Sequence, residues 1–216
     1  MNIDLPEDTR IHKRLPKEAF YKHLPLTTAL KDKFVSDVDR IFVEHSLTKD
    51  NLRLTRDSQI VEILLLEIVL KKQEFDGKIV ETMARQNPHK LVFLLMHEDM
   101  RQLALYHGKL YQTQWMVDEA LNLSANGFSL DEIWDGFVEQ VALVGEKAAV
   151  ASKFGIDERL VLQERIDKLE ERIRKAEAAA WKEKQPKKKF ELYERLQKYR
   201  QELEGLRRGE IEDAHP

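Results

Sequence analysis

The chain has 216 residues, enough for one well-packed core and an appendage. It contains no cysteine, which excludes disulfides, thiolate metal sites and cysteine nucleophiles. The formal net charge is only −3, but residues 151–216 hold 17 Lys and Arg against 15 Asp and Glu, so about half of that segment is charged. This contrast predicts two domains, an α+β body over residues 1–150 and a solvated helical extension over residues 151–216.

Several function classes are disfavoured by missing motifs. None of the eight glycines forms a phosphate-binding Gly-x-x-x-x-Gly-Lys or Gly-x-Gly-x-x-Gly loop, and the Gly-x-Ser-x-Gly motif of serine hydrolases is absent. The sequence therefore predicts no cofactor and no metal site.

The longest apolar run, at 59–72, is too short to span a bilayer, and the first residues do not resemble a signal peptide. We therefore expect a cytoplasmic protein without membrane segments.

The N-terminal segment Arg10–Lys17 carries four permanent positive charges and no acid. Prolines at positions 16 and 25 predict an extended arm that leads into a short helix. Because Phe20 and Tyr21 follow, the arm could bind nucleic-acid phosphates and stack on bases. The alternative is an arm that packs its aromatic rings on the body and leaves its charges in water. The nucleic-acid-binding candidates here are Arg10, Lys13, Arg14 and Lys17.

From Thr27 onward, apolar residues recur every three or four positions, which predicts a helix that Thr27 or Thr28 caps. One face of this helix should cover a sheet. Its apolar positions are Leu30, Phe34, Val35, Val38, Ile41 and Phe42. The alternation in Asn51–Thr55 then predicts a short strand before a turn.

The run Gln59–Lys72 is interrupted only by Glu62 and Glu67 and is rich in β-branched residues. Its apolar residues occupy both odd and even positions, which leaves no strand face for water and predicts a central strand covered on both sides. A buried helix is the rival interpretation. A helix capped by Asp76 should follow.

Three further apolar segments, Lys90–Met96, Gln102–Tyr106 and Lys109–Trp115, are joined by connections of hairpin length. They predict an antiparallel meander. The predicted fold class is therefore α+β, a mixed sheet with an antiparallel meander and covering helices. Ser129–Glu132 reads as a capping box that begins another helix.

Two heptad series joined through Pro186 predict an antiparallel helical hairpin, a coiled coil, at the C-terminus. Its apolar seam either packs on itself or docks another coiled coil. The partner-docking candidates are Leu162, Ile166, Leu169, Ile173, Leu196 and Leu203.

The loop at 182–189 has five Lys and one Glu, and it either stays solvated or presents charge to phosphates or an acidic partner. Its nucleic-acid-binding candidates are Lys187, Lys188 and Lys189.

A metal-dependent nuclease would need carboxylates on the central strand and a nearby lysine to hold Mg²⁺ and orient water. Glu67 and Lys71 share a strand face, but four residues of strand separate them by about 13 Å. Val69 stands where a Glu-x-Lys arrangement needs an acid. A divergent Mg²⁺-dependent restriction-like nuclease that uses Glu62, Glu67 and Lys71 is therefore the alternative hypothesis.

Three segments together, Ile11–Tyr21, Leu66–Lys71 and Lys188–Leu192, resemble a bacterial family catalogued as domain-of-unknown-function family 4391. The likeness covers nearly the whole chain, and it implies no catalytic residue. Members of that family are often encoded near DNA methyltransferases and helicases of restriction-type defence systems. The resemblance thus implies a genetic setting rather than a mechanism. Because the catalytic motifs tested above are absent or incomplete, we expect a non-catalytic interaction subunit of a bacterial DNA-linked defence system in that setting. Its expected partners are a helicase or methyltransferase subunit, a second copy through the coiled coil, or nucleic acid.

Overall fold

A computed structural model describes residues 2–18, 26–143 and 154–208. The chain divides into two units, residues 1–142 and 143–216, and each is described by itself. The predicted boundary after residue 150 lies outside the described residues, and so does most of the short helix predicted after the basic arm.

The first unit contains strands and helices in the following order along the chain. They are β1 (Asn2–Asp4), β2 (Arg10–Leu15), α1 (Thr28–Asp37), β3 (Val38–Thr48), β4 (Glu62–Leu70), α2 (Lys78–Gln86), β5 (Lys90–His97), β6 (Met100–His107), β7 (Lys109–Gln112), β8 (Met116–Val117), β9 (Asn122–Ser124) and α3 (Leu130–Ala142).

Seven of these strands form one mixed sheet in the order β2–β3–β4–β5–β6–β7, and β8 also pairs with β6. Neighbouring strands are antiparallel except β4 and β5, which are parallel and connected through α2. The strands β1 and β9 form a separate parallel pair. The predicted mixed sheet with an antiparallel meander is confirmed, and the run at 59–72 supplies an internal strand.

Both faces of β4 carry buried apolar side chains, as its sequence predicts. Leu66 and Ile68 belong to a buried cluster that includes Phe34 of α1 and Phe93 of β5. Ile63, whose side chain points to the opposite face because residues alternate along a strand, is also buried. Helix α3 packs on β4, β6 and β7. Helices on the two faces therefore exclude water from the centre of the sheet.

The helix predicted from Thr27 to Phe42 is wrong in its second half. Helix α1 ends at Asp37, and Val38, Ile41 and Phe42 belong to β3. The register between β3 and β4 shifts at two places along β3. Such irregularities interrupt the simple alternation of a strand, so the apolar residues of β3 fall at spacings of three and one that imitate a helix.

Two further predictions in this part of the chain need correction. Asn51–Thr55 forms turns rather than a strand, because the Asn51 side chain accepts a hydrogen bond from Thr48 N (2.9 Å) and donates one to Ser46 O (2.7 Å). The basic arm is extended as predicted, but Arg10–Leu15 is an edge strand paired with β3.

Side-chain caps set where the helices begin. Thr27 Oγ1 accepts a hydrogen bond from Leu30 N at 3.3 Å, and Asp76 Oδ1 accepts one from Lys78 N at 3.1 Å. Ser129 Oγ accepts one from Glu132 N at 3.1 Å, which is half of the predicted capping box. The Glu132 carboxylate completes the cap one residue earlier than predicted, at Phe128 N (2.8 Å).

The second unit consists of α4 (Ile156–Lys182) and α5 (Pro186–Arg208), joined by three residues. The two helices pack against each other, which confirms the predicted hairpin; its description as a coiled coil stays a prediction. Neither these helices nor any other in the described ranges is long and apolar enough to cross a membrane.

Replacing Phe93 by Ala should lower the free energy of unfolding by about 3–5 kcal/mol, because the side chain is fully buried between the strands and α1 and α2. Val61→Ala is the control, since Val61 is 77% exposed, and it should change the value by less than about 0.5 kcal/mol. Urea denaturation measures both. Equal losses in the two variants would contradict the assigned core.

Candidate functional site

A groove of about 490 Å³ lies between α4 and α5 on the surface of the helical unit. Ala180 and Leu196, which are 1% and 3% exposed, form its floor. Trp181 and Tyr193 line it toward the end where the helices are joined, and they are 85% and 44% exposed. A large exposed aromatic pair beside a buried apolar floor is typical of a protein-docking surface.

The sequence produces this groove by repeating residues three and four positions apart. Arg174, Ala178 and Trp181 share one face of α4, and Tyr193 and Arg200 share one face of α5. The alanines on α4 have small side chains and leave space between the helices. The remaining lining residues are Glu177 and Gln197.

An ion pair crosses the groove between the two helices. Arg200 Nη2 lies 2.7 Å from Glu177 Oε1, and both side chains are about half exposed. A pair of this kind contributes at most about 1 kcal/mol to stability because solvent screens it. It does, however, fix the relative position of two side chains on the groove wall.

The six seam residues predicted to dock a partner lie mostly inside the hairpin. Leu162 and Ile166 form a buried cluster against which Leu203 packs. Leu169 and Leu196 are also buried, and Ile173 is half-buried. Their burial supports the self-packing interpretation of the seam, and it moves the candidate docking surface to the groove.

The predicted basic loop lies at the end of the hairpin where α4 meets α5. Lys187, Lys188 and Lys189 form the first turn of α5, directly after Pro186. No acid occupies that turn, although acids are favoured at the positive end of the helix dipole. Phe190 follows and is 64% exposed.

In the first unit, a polar cluster lies on one face of the sheet. His12 has a left-handed backbone (φ 45°) within an irregularity of β2, and its ring stacks on Phe42 at a centroid distance of 5.3 Å. His12 Nδ1 lies 2.8 Å from Glu44 Oε1. Glu67 is in register with Phe42 on the adjacent strand. Burial raises the pKa of Glu67, the Glu44 carboxylate raises it further, and the charges of His12, Arg101 and Arg40 lower it.

The structure does not bring together the three residues of the alternative nuclease. Glu62 and Glu67 are five residues apart on β4, so their side chains point to opposite faces. Glu62 accepts a hydrogen bond from Ser46 Oγ, and Lys71, past the end of β4, donates to Val35 O at 3.1 Å. Within the described residues, no group of three or more His, Asp or Glu side chains is placed to hold a metal ion.

The four basic candidates of the N-terminal segment differ in their surroundings. Arg10 lies 3.9 Å from Glu7, and Lys17 Nζ donates to Val38 O at 2.8 Å. Lys13 and Arg14 are exposed on the edge strand β2. Their binding of nucleic acid stays a prediction.

Sequence reasoning missed Trp181 and Tyr193, although a signal was present. The heptad spacing of the seam continues to Ala180 on α4 and includes Leu192 on α5. Trp181 and Tyr193 directly follow these two residues, so each places a large aromatic ring on the polar side of a heptad pattern. The pairing of His12 with Glu44 had no such signal. This pairing depends on strand β3, whose apolar residues have a spacing that predicts a helix.

The fold and these surfaces define a two-unit protein in which a mixed-sheet body is followed by a helical hairpin. The chain belongs to the family described as Domain of unknown function (DUF4391), whose profile matches residues 3–203. The match extends through the body and most of the hairpin, which confirms the resemblance seen in the sequence. No curated protein and no solved structure matches the chain.

Replacing Glu67 by Gln should raise the free energy of unfolding near pH 8. The difference from the wild type should become smaller as the pH is lowered toward about 4. Because its native pKa is raised, Glu67 binds its proton more tightly in the folded than in the unfolded chain. The associated stability is present in acid and is lost as the pH rises through the raised pKa. Urea denaturation across this pH range measures the difference. The exposed Glu74, replaced by Gln, controls for net charge, and the same pH-dependent gain in that variant would contradict the assignment.

Proposed function

We propose that the protein is a cytoplasmic, non-catalytic interaction subunit of a bacterial DNA-linked defence system, and that its helical hairpin docks an amphipathic helix of a helicase or methyltransferase subunit. The groove between α4 and α5, with the 85% exposed ring of Trp181 beside it, is the observation that carries this proposal. Family membership supports the genetic setting, because the resemblance implies proximity to such subunits.

The dimensions of the groove favour a helical ligand. From Arg174 to Trp181 the lining spans two turns of α4, about 10 Å. Two packed helices leave a furrow into which a third helix can fit its side chains, in the manner of ridges that enter grooves. Such a ligand would place apolar residues three, four and seven positions apart against Ala178, Ala180 and Leu196.

The energetic contribution of the groove should be concentrated in its aromatic residues. Trp and Tyr dominate binding hot spots because each buries a large area at a small entropic cost. Trp181 exposes most of its side chain to water, so a ligand that covers it removes a large apolar area from solvent. The ion pair between Arg200 and Glu177 would lie at the polar rim, where charges select a partner more than they strengthen binding.

The separation of Glu62, Glu67 and Lys71 supports a subunit without nuclease activity. Metal-assisted hydrolysis requires its carboxylates on one side of one metal ion. Two of these side chains lie on opposite faces of β4, and the lysine is engaged by a carbonyl of α1.

Trp181→Ala combined with Tyr193→Ala should weaken binding of the full-length chain to the cognate helicase or methyltransferase subunit by about thirtyfold, the effect of one lost hot spot. Isothermal titration calorimetry with purified subunits measures this. Val161→Ala is the matched control, since Val161 is an exposed apolar residue near the opposite end of α4, 53% exposed, and it should bind like the wild type. Failure of every subunit to bind, or an unchanged affinity of the double variant, would contradict the proposal.

Purified protein incubated with plasmid DNA and Mg²⁺ or Mn²⁺ should leave the plasmid intact, because no metal-binding group is gathered on β4. Agarose electrophoresis detects nicking and linearisation. Cleavage that disappears in Glu67→Ala would instead establish the nuclease alternative.

A further inference from the structure

The end of the hairpin carries five lysines and an adjoining aromatic residue, which together we call the basic tip. Its members are Lys182, Lys184, Lys187, Lys188, Lys189 and Phe190. Within the described parts of the chain, none of these lysine side chains forms an ion pair or a hydrogen bond. Two acids adjoin the lysines in the sequence, Glu183 and Glu191, so residues 182–191 carry five positive charges against two negative ones. Glu183 Oε1 accepts a hydrogen bond from Gln185 N at 2.8 Å. The tip therefore presents positive charge to solvent.

Several cations elsewhere in the hairpin are paired with acids. Lys168 lies 3.1 Å from Glu164, and Lys175 lies 2.7 Å from Glu171. Arg207 pairs with Glu170 across the two helices at 2.8 Å. Acids and bases alternate along the rest of the two helices, which we call the shaft, whereas residues 182–189 hold five lysines against the single acid Glu183. A cluster of this kind attracts a polyanion, whose condensed counterions are released on binding.

Exposed aromatic rings flank the lysines on both sides in the sequence. Phe190, which is 64% exposed, follows Lys189, and Trp181 precedes Lys182. If the ligand were an acidic polypeptide, its carboxylates would neutralise the lysines, but it would offer no bases on which these aromatic rings could stack. Unpaired bases offer such partners, while the bases of a duplex are stacked on one another. We propose that the basic tip binds single-stranded nucleic acid, with the lysines on phosphates and Phe190 stacked on a base.

This inference does not rest on the proposed docking function. Trp181 lines the groove and adjoins the tip, but no member of the tip lines the groove. The lysines and Phe190 can therefore be changed while the groove keeps its floor, Trp181 and Tyr193. A failure of nucleic-acid binding would leave partner docking intact, and the reverse also holds.

Fluorescence anisotropy with the full-length chain and labelled oligonucleotides of about 15 nucleotides tests the proposal. The ligands are single-stranded DNA, single-stranded RNA, duplex DNA and poly-glutamate, titrated over a series of salt concentrations. Either single strand should bind more tightly than the duplex. Replacing Lys187, Lys188 and Lys189 by Ala should reduce the slope of log K against log salt by about 2, because each lost phosphate contact removes about 0.7. Phe190→Ala should weaken binding about tenfold through lost stacking.

The matched control removes three cations from the shaft, by replacing Lys168, Lys175 and Arg207 with Ala. It changes the net charge equally and should leave both the affinity and the salt slope near the wild-type values. Circular dichroism verifies that all variants keep their helix content. The proposal is overturned if neither single strand binds, if the shaft variant loses as much as the tip variant, or if duplex or poly-glutamate binds equally well and Phe190→Ala has no effect.

Discussion

The fold depends on one constraint, that β4 must be covered on both faces. Its alternating side chains are apolar in both directions, so helices have to pack on each side of the sheet. Helix α2 satisfies the constraint on one side by connecting β4 to its parallel neighbour β5. Helix α3 satisfies it on the other side, and Asp131 ties its first turn to the start of β4 by accepting hydrogen bonds from Gln59 N and Ile60 N at 2.9 and 3.0 Å.

The same constraint explains why the carboxylates of β4 do not form a catalytic group. Burying an acid on such a strand is costly unless a partner compensates for its lost hydration. Glu62 accepts a hydrogen bond from Ser46 at the start of the strand. Glu67, on the other face, is compensated only in part by the charges of His12, Arg101 and Arg40, so its pKa is raised. Glu62 and Glu67 lie on opposite faces of β4, so the two carboxylates cannot act together on one metal ion.

How far the sequence predicted the structure depended on the regularity of each element. The run at 59–72 was predictable from its length and its apolar residues on both strand faces, the meander from its short connections, and the hairpin from its two heptad series. Strand β3 was not, because its shifts of register gave Val38, Ile41 and Phe42 helical spacing. The apolar seam of the hairpin was visible, and most of it packs inside the hairpin, while its member Leu196 also lines the groove. Trp181 and Tyr193 gain meaning only when two helices place them beside one groove.

The first unit buries its apolar residues around β4, and the helical unit exposes Trp181 and Tyr193 beside a groove. The most direct test is hydrogen exchange of the full-length protein with and without a helicase or methyltransferase subunit of the proposed defence system. The account predicts slower exchange confined to residues 174–181 and 193–200, with β4 unchanged, because an added helix would cover the groove and suppress local opening of its walls. Slower exchange confined to the sheet, with α4 and α5 unaffected, would contradict it.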